Sequence, residues 1–320
     1  MDRHDISWSG TITALVTPFT RDGELDEAAF QRNIELLIQD GVHGVVVTGH
    51  TGEFWALSRD EWKRLFRVAM DQVRGRVTVI GGTTDIATAQ VIEMTALARE
   101  LGMDGVMITP PYYVLPTPAD IVAHYQAVSD AVDIPILLYN IPHVTGVDLT
   151  PELVLRLAEI DHVGAIKESS HDFMPLVAMI KTVGDRLRVF AGYSALRGLP
   201  AVSMGVDGFI SVADTQVMGR EGVDLFTFAR EGKIAQARTI QYRCIRLIDA
   251  LNQVNGTFPA PLKAAMNLVG RPGGYPRDPI RPLSADQQQV LRHTLEELGL
   301  GEVPVTAGEA RGPGAALRER

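Results

Sequence analysis

Disulfide-forming cysteines, a basic surplus and long apolar runs are all missing from this chain of 320 residues. Its single cysteine, Cys244, excludes both an intramolecular disulfide and a cysteine metal cluster, and its place in a helical run predicts a packing role. The formal net charge of −9 argues against a nucleic-acid surface, because phosphate binding needs a clustered basic face.

No stretch of about eighteen consecutive apolar residues occurs anywhere in the sequence, so a membrane span is not expected. The N-terminal segment Met1–Asp5 is polar, and no apolar region of the kind found in signal peptides follows it. We therefore expect a cytoplasmic protein that binds neither membranes nor nucleic acid.

Short β-branched runs alternate with amphipathic stretches, and these runs are almost continuously apolar, as in parallel strands covered on both faces. The strand candidates are Thr11–Phe19, Val42–Gly49, Val77–Thr83, Gly105–Pro110, Pro135–Ile141, Val163–Glu168, Leu187–Gly192 and Gly208–Val212. The helical patterns between them are Glu27–Gln39, Arg59–Val73, Ile86–Leu101, Pro118–Ala131, Pro151–Ile160 and Phe173–Val183.

Eight strand–helix units predict a (β/α)₈ TIM barrel. An open, doubly wound sheet is the alternative, but no Gly-x-Gly-x-x-Gly turn follows the first strand. Polar caps mark helix starts: Ser58 with Glu61 fits a capping box, and Thr150 precedes Pro151 in the same way.

Three further helical patterns follow the eighth strand without any strand between them. They cover Lys233–Leu251, Pro261–Val269 and Ala285–Leu298. We therefore predict a catalytic barrel over residues 1–230 and a C-terminal helical region over 231–302. Residues 303–320 are rich in Gly, Ala and charge and show no periodicity, which predicts a mobile tail.

The most informative side chain is Lys167, at the C-terminal end of the sixth strand, where active sites of such barrels lie. By the strand period of two, Val163, Ala165 and Lys167 share one face, which would point into the barrel. Burial among apolar walls should lower the pKa of the amine, and a neutral amine attacks carbonyls. The alternative is a lysine paired with a carboxylate such as Glu168.

Tyr139 ends the preceding strand, and its alternation with Leu137 also predicts an inward side chain. Because neighbouring strands lie about 5 Å apart, its hydroxyl is a candidate proton carrier beside Lys167. A structural tyrosine that caps the core is the alternative.

Gly49-His50-Thr51-Gly52-Glu53 ends the second strand. Its glycines allow backbone amides to turn toward a ligand, and Thr51 adds a hydroxyl, which suits a carboxylate. A glycine-rich turn without a ligand is the alternative, and Glu53 more often braces such a loop than takes part in chemistry.

Taken together, these segments resemble the dihydrodipicolinate synthase / N-acetylneuraminate lyase family of class I aldolases, from about Thr11 to Leu298. The matching motifs are Thr13-Ala14-Leu15-Val16-Thr17-Pro18-Phe19, the Gly49–Glu53 turn, Thr109-Pro110-Pro111-Tyr112-Tyr113, Tyr139-Asn140-Ile141-Pro142, Ile166-Lys167-Glu168, Gly208-Phe209-Ile210-Ser211 and Pro259-Ala260-Pro261-Leu262-Lys263-Ala264-Ala265.

The resemblance implies a role for each matched residue. Lys167 matches the Schiff-base lysine, and Tyr139 matches the tyrosine that moves protons to and from the carbinolamine and C3. Thr51 and the loop amides, including that of Gly52, match the site of the 2-oxo acid carboxylate. The carbonyl of Ile210 matches a backbone contact. Tyr113 matches a tyrosine that reaches across to a neighbouring subunit. The resemblance also implies a homotetramer that is built as a dimer of dimers.

Three departures from the family pattern bear on the substrate. His50 stands where the synthases have a first threonine; it could relay protons, given an ordinary imidazole pKa near neutrality, or only shape the pocket. Val144 replaces the arginine that holds the aldehyde's carboxylate in the synthases. Gly192-Tyr193 is followed by Ser194-Ala195 rather than by the acidic residues that hold a sugar chain in the neuraminate lyases.

The prediction is a Schiff-base lyase, either an aldolase or a dehydratase or deaminase, whose 2-oxo acid substrate has a pyruvate-like head and a less polar tail. No cofactor or metal is implied, because the iminium itself accepts the electrons. Gly192, Ser194 and Val144 are expected to line the substrate pocket. The alternatives are a 4-hydroxy-tetrahydrodipicolinate synthase that uses aspartate semialdehyde and, in another class, a non-catalytic metabolite-binding barrel.

Overall fold

Eight parallel strands close into a barrel in the computed structural model, which describes residues 1 and 3–301. Each strand pairs with the next, and the eighth pairs with the first. The strands are β1 (Gly10–Ala14), β2 (Gly44–Val47), β3 (Thr78–Gly82), β4 (Gly105–Ile108), β5 (Ile136–Asn140), β6 (Val163–Glu168), β7 (Arg188–Ala191) and β8 (Gly208–Ser211). The predicted TIM barrel is confirmed.

Helices separate the strands and surround the barrel. Those between strands are α1 (Glu27–Asp40), α2 (Arg59–Val73), α3 (Thr88–Glu100), α4 (Pro118–Ala131), α5 (Pro142–Thr145), α6 (Pro151–Leu157), α7 (Met174–Val183) and α8 (Ser194–Met204). Those after β8 are α9 (Ala213–Met218), α10 (Arg220–Arg230), α11 (Ile234–Gln253), α12 (Ala260–Leu268) and α13 (Ala285–Glu297).

The helix caps agree with the sequence pattern. Ser58 accepts a hydrogen bond from the Glu61 amide, and the Glu61 carboxylate accepts one from the Ser58 amide, which completes the capping box of α2. The Thr150 hydroxyl likewise accepts from the amide of Leu153 and caps α6. These caps fix where the helices leave the βα loops that carry the candidate site.

Three element assignments differ from the predictions. The predicted strand Thr11–Phe19 ends at Ala14, because the chain then leaves the barrel wall and the Val16 amide bonds to the Gln216 side chain instead. In the described part of the chain, five helices follow β8 rather than three, since α9 and α10 precede Lys233. The sequence pattern also missed α8, whose periodicity is broken by Pro200 and by non-helical backbone at Arg197.

One predicted side-chain direction on β6 is wrong. Ala165 packs inside the barrel, but Val163 belongs to the outer hydrophobic cluster between strands and helices. The reason is a register shift: Ile136 pairs with Val163, whereas the next residue, Leu137, pairs with Ala165. Gly164 is the extra residue on β6, so the side chains follow the expected inward alternation only from Ala165 onward.

Side chains of alternating strand residues fill the barrel interior, and Trp8 covers its N-terminal end near Gly105. The much larger outer cluster joins the strands to the surrounding helices and includes Leu247, Leu262 and Leu291 of the C-terminal helices. The division at residue 230 stays a prediction, and the predicted tail over 303–320 lies outside the described residues.

Candidate active site

Lys167 and Tyr139 lie side by side near the C-terminal end of the barrel. They are paired residues of β6 and β5, and the Lys167 Nζ lies 3.9 Å from the centre of the Tyr139 ring. The Lys167 side chain is only 4% exposed, and this burial lowers the pKa of its amine to about 7. The amine is therefore close to half neutral at physiological pH.

Glu168, the alternative partner of Lys167, is occupied elsewhere. Its carboxylate accepts hydrogen bonds from the side-chain amide of Asn140, at 2.7 Å, and from the backbone amide of Ser170, at 2.6 Å. Consecutive strand residues point to opposite faces, so Glu168 braces the outside of the β5–β6 pair while Lys167 faces inward. The interpretation of Lys167 as half of an ion pair with Glu168 is wrong.

The Tyr139 hydroxyl stays protonated at neutral pH. Burial raises its pKa well above the ordinary value, and the nearby Tyr193 and Glu168 raise it further, although a hydrogen bond with Ser169 partly offsets this. A phenol of this kind gives up its proton only to a strong base, and its phenolate, once formed, takes a proton back readily.

The loop after β2 turns sharply where the sequence predicts a backbone nest. His50, Thr51 and Gly52 form one 3₁₀ turn, which leaves the amides of His50 and Thr51 without a carbonyl partner in the turn. The Gly52 amide donates to the Gly49 carbonyl at 2.9 Å and is therefore not free to bind a carboxylate. Thr51 is buried beside them, and the hydroxyl of Thr17 donates to the Gly52 carbonyl at 2.7 Å. The turn ends at Glu53, which adopts left-handed backbone angles.

Glu53 holds this turn in place from below. Its fully buried carboxylate forms an ion pair with Lys263 of α12 and accepts a hydrogen bond from the Arg277 amide at 3.0 Å. Lys263 in turn donates to the Thr17 carbonyl at 2.6 Å. The C-terminal helices thereby brace the nest, in agreement with a structural role for Glu53.

His50 is packed among aromatic side chains at the barrel mouth. Its ring stacks on Phe258 with a centroid distance of 5.6 Å and an angle of 6°, and it lies 5.3 Å from Trp55. Burial first, and then electrostatic interaction with Lys167 and His143, lower its pKa to about 4. The imidazole is therefore uncharged near neutrality, which favours pocket shaping over proton relay.

Three predicted site residues lie on or just after β7 and β8, and two of them border the end of the barrel. Gly192 directly follows β7 and is packed so tightly that a Cβ there would lie 1.9 Å from the Ser169 hydroxyl oxygen. Ile210 is buried in β8. Ser194, by contrast, donates its hydroxyl to the buried Asp214 carboxylate at 2.7 Å. We reassign Ser194 from substrate binding to this internal network.

Val144 and Tyr113 lie on the surface. Val144 is 50% exposed in the short helix α5, which follows β5. Tyr113 is 86% exposed, with a left-handed backbone, in the loop after β4, so within one chain it does not meet the buried Lys167.

Neither Arg197 nor Arg277 supplies a free guanidinium at the mouth. Arg197 is buried and donates to the carbonyls of Gly192, Asp172 and Glu168. Arg277 is bound by the Glu61 carboxylate and by the carbonyls of the loops before α1 and α2.

Sequence reasoning missed three aromatic side chains at the barrel end. His143, His171 and Tyr193 follow β5, β6 and β7, and the Tyr193 hydroxyl shares a 2.9 Å hydrogen bond with the His143 Nε2. The rings of His143 and His171 stack with centroids 3.8 Å apart. Their shared position just beyond consecutive strand ends is the signal that could have revealed them.

The described residues contain no helix that is both long and apolar enough to cross a membrane. Within the same residues, no group of three or more His, Cys, Asp or Glu side chains is placed to hold a metal ion.

Comparisons with known proteins agree with this geometry. The model of the dihydrodipicolinate synthetase family matches residues 7–298. A 4-hydroxy-tetrahydrodipicolinate synthase of Synechococcus is 41% identical over 298 residues, which are 92% of this chain and 95% of the relative. The crystal structure of the Aquifex aeolicus dihydrodipicolinate synthase is 34% identical, with a TM-score of 0.86 over 92% of this chain and 99% of that one.

A second solved structure is the chloride-inhibited dihydrodipicolinate synthase of Acinetobacter baumannii in complex with pyruvate. It is 30% identical, with a TM-score of 0.86 over 91% of this chain and 99% of that chain. Family match, sequence identity and shared barrel all point the same way and confirm the resemblance seen in the motifs. The chain therefore belongs to the dihydrodipicolinate synthetase family of lyases.

Proposed function

We propose that the protein is a Schiff-base lyase in which the Lys167 amine condenses with the carbonyl of a 2-oxo acid that has a pyruvate-type head. The observation that carries this proposal is a buried lysine at the barrel mouth whose amine has a pKa of about 7 and no carboxylate partner among the described residues. Such an amine is nucleophilic at neutral pH, whereas an ordinary lysine is almost fully protonated.

Tyr139 is proposed to move the protons of this condensation. The Lys167 nitrogen attacks the C2 carbonyl, and the resulting carbinolamine loses water when Tyr139 gives its proton to the departing hydroxide. Because burial raises the pKa of Tyr139, the phenolate that remains is a strong base. It can then take a proton from the substrate, which restores the phenol.

The head carboxylate is proposed to lie in the nest after β2. The hydroxyl of Thr51 and the backbone amides of His50 and Thr51 supply donors, and the ion pair of Glu53 with Lys263 keeps that turn in place. The Ile210 carbonyl and the close-packed Gly192 would complete the walls. The pyruvate bound by the relative from Acinetobacter baumannii supports a head group of this size.

No cofactor is required for this chemistry. The protonated iminium on Lys167 withdraws electrons from C3, so loss of a C3 substituent gives a neutral enamine, and reprotonation at C3 followed by hydrolysis releases the product. The catalytic set then consists of Lys167, Tyr139 and, from a neighbouring subunit, Tyr113.

The second candidate function is condensation of pyruvate with aspartate semialdehyde, the reaction of a 4-hydroxy-tetrahydrodipicolinate synthase. It is favoured by the names of the relatives, the first of which is 41% identical. The argument against it is that Val144 carries no charge. The guanidinium groups of Arg197 and Arg277 are already bound by carbonyls and carboxylates. A substrate carboxylate would lack a charge-assisted partner among the described residues.

A homotetramer, built as a dimer of dimers, is also proposed. Tyr113, Val114 and Leu115 form a strongly exposed apolar loop after β4, and two of the three residues have left-handed backbone angles. Exposed apolar patches of this kind commonly mark subunit contacts. A cytoplasmic location completes the proposal.

Exchange of the pyruvate methyl protons in D₂O tests the proposed function directly, because an iminium in equilibrium with its enamine exchanges them much faster than free pyruvate does. The wild-type protein should replace the methyl protons with deuterium, as followed by proton NMR, and Lys167→Ala should not. A matched control is Lys181→Ala, which alters an exposed lysine on α7. Absence of exchange with the wild-type protein would overturn the proposal.

A further inference from the structure

Three loops bring an aromatic cluster to one side of the barrel mouth, and neither catalysis nor binding of the head group uses it. This mouth cluster consists of His143, His171 and Tyr193. The two imidazoles stack with their centroids 3.8 Å apart and their planes 29° apart, and the Tyr193 ring lies 6.1 Å and 5.9 Å from them. The rings therefore form a continuous wall rather than three separate side chains.

The cluster is held in place before any ligand binds. Tyr193 has left-handed backbone angles of 54° and 38°, a conformation that L-residues adopt only where their surroundings enforce it. The Arg197 guanidinium lies 5.6 Å from the Tyr193 ring, and its hydrogen bonds to the carbonyls of Gly192 and Asp172 fix it there. Backbone strain kept in this way is typical of binding and catalytic sites.

The cluster adjoins the candidate active site. Tyr193 is near enough to Tyr139 to raise the pKa of its hydroxyl, and His143 is near enough to His50 to lower the pKa of that imidazole. Tyr139 in turn lies against the Lys167 amine. A substrate joined to Lys167 would extend from Tyr139 toward these rings.

A second aromatic wall lies on the β2 side of the mouth. There His50 stacks on Phe258 and touches Trp55, and both of these outer rings remain 39% exposed. Flat aromatic surfaces on both sides of an opening favour a flat apolar ligand, because stacking and burial both contribute to its binding.

The charges at the mouth favour an uncharged ligand. Burial and the neighbouring His171 lower the pKa of His143, and the pKa of His50 is about 4, so neither imidazole offers a positive charge near neutrality. The guanidinium of Arg197 is occupied by carbonyls. Asp172, next to His171, is an exposed carboxylate that would repel an anion.

Resting on the proposed Schiff-base function, we propose that His143, His171 and Tyr193 form a subsite for an uncharged aromatic tail on C4 of the 2-oxo acid. The substrate class is then a 4-aryl-4-hydroxy-2-oxobutanoate. After the iminium forms at C2, Tyr139 accepts the C4 hydroxyl proton and the C3–C4 bond breaks. Its electron pair enters the iminium to give the enamine, and an aryl aldehyde leaves. Protonation of C3 and addition of water release pyruvate from Lys167.

Two probes that differ only in the tail test this subsite. Pyruvate release is measured from 4-hydroxy-2-oxo-4-phenylbutanoate and from 4-hydroxy-2-oxopentanoate, which has a methyl group in place of the phenyl ring. We expect kcat/KM to favour the phenyl substrate by about tenfold or more, the size expected from two aromatic contacts. Replacement of both imidazoles (His143→Ala with His171→Ala) should remove that preference and leave the methyl substrate unchanged.

The controls separate this inference from the function on which it rests. The variant should still exchange the pyruvate methyl protons, and His293→Ala, on the exposed surface of α13, should change nothing. Should the double variant lose exchange, Tyr193→Leu, which removes the third ring, must show a fall in kcat/KM confined to the phenyl substrate. The subsite would be overturned by equal kcat/KM values for the phenyl and methyl substrates, or by a fall in kcat/KM that the double variant shows for both. Faster turnover of pyruvate with aspartate semialdehyde than of the phenyl substrate would overturn it as well. Loss of exchange in the wild type would overturn the Schiff-base function itself.

Discussion

Two buried lysines of this barrel show how burial can lead to opposite roles. Lys263 is 0% exposed, pairs with the Glu53 carboxylate and donates to the carbonyls of Thr17 and Tyr275 at 2.6 and 2.8 Å. Lys167 is 4% exposed, and its Nζ lies 3.9 Å from the centre of the Tyr139 ring. Burial lowers both pKa values, to about 8 for Lys263 and about 7 for Lys167.

The difference lies in what replaces water around each amine. The carboxylate and carbonyls around Lys263 stabilise the ammonium ion and oppose the effect of burial on its pKa. At Lys167 burial is the cause of the shift, and the ring of Tyr139 is a weak substitute for a carboxylate. A buried lysine with its hydrogen bonds satisfied ties the structure together, whereas an unsatisfied one is available for chemistry.

Replacement of Lys167 should have the largest effect on activity. Lys167→Ala is expected to reduce turnover on the order of 10⁴-fold or more, as when other covalent catalysts are removed. Its unfolding free energy should not fall by as much as that of a Lys263 variant, because no ion pair is lost. Steady-state kinetics with a 2-oxo acid substrate and urea unfolding measure both quantities. Retained turnover would remove Lys167 from the mechanism.

Replacement of Lys263 should have its largest effect on stability. Lys263→Met leaves the fully buried Glu53 carboxylate without its partner, which costs about 3–5 kcal/mol of unfolding free energy. Urea unfolding measures this, and Lys181→Met on the exposed side of α7 is the matched control, expected within about 0.5 kcal/mol of the wild type. A wild-type midpoint for Lys263→Met would contradict the structural role given to that lysine.

Tyr139→Phe separates imine formation from proton transfer. Turnover should fall by roughly 10²-fold, the effect of losing an acid–base group, while pyruvate and borohydride still modify Lys167. The measurement is kcat together with the mass of the reduced adduct. Unchanged turnover would leave Tyr139 with the structural role that its burial alone would suggest.

The pH dependence of imine formation distinguishes Lys167 from an ordinary lysine. The pKa of about 7 in the folded protein lies well below that of an ordinary lysine. The neutral fraction of the amine therefore rises as the pH passes through 7 and is nearly complete by pH 8. The initial rate of borohydride-trapped adduct should rise about tenfold between pH 6 and pH 8 and then level off. A rate that keeps rising toward pH 10 would mean that Lys167 is protonated like an exposed lysine.

The smallest expected effect concerns the mouth rather than the lysines. Val144→Arg supplies a guanidinium where Val144 is half exposed, and it should raise kcat/KM for aspartate semialdehyde with pyruvate by about tenfold. A coupled assay of the wild-type and variant proteins checks this. A wild-type kcat/KM of about 10⁴ M⁻¹s⁻¹ or above for this pair would instead support the synthase as the function.

Much of the barrel could be predicted because apolar periodicity records it directly. Eight parallel strands, the inward faces of Tyr139 and Lys167 and the capping box at Ser58 all follow from local patterns. The irregularities could not be predicted. The register shift before Leu137, which turns Val163 outward, depends on pairing between two strands. In α8 the backbone is non-helical at Arg197, whose side chain binds the distant carbonyls of Asp172 and Glu168.

Sequence patterns predicted those site residues that are unusual at a single strand end, as Lys167 is. They missed the residues whose role depends on side chains that follow several strands and meet only in the folded protein. The mouth cluster needs three loops, and no single one of His143, His171 and Tyr193 is unusual in sequence. The pKa of His50 is likewise lowered to about 4 by burial and by Lys167 and His143, which are distant in the chain. The bond of Ser194 to Asp214 spans two strand ends in the same way.

The most direct test of the difference between the two lysines is to locate the adduct that pyruvate and borohydride leave on the folded wild-type protein. Proteolysis and tandem mass spectrometry should find one reduced adduct per chain, on Lys167. Lys263 should remain unmodified, because its ammonium ion is fully buried and held by Glu53 and two carbonyls. An adduct on Lys263 or Lys181, or no adduct at all, would contradict the account.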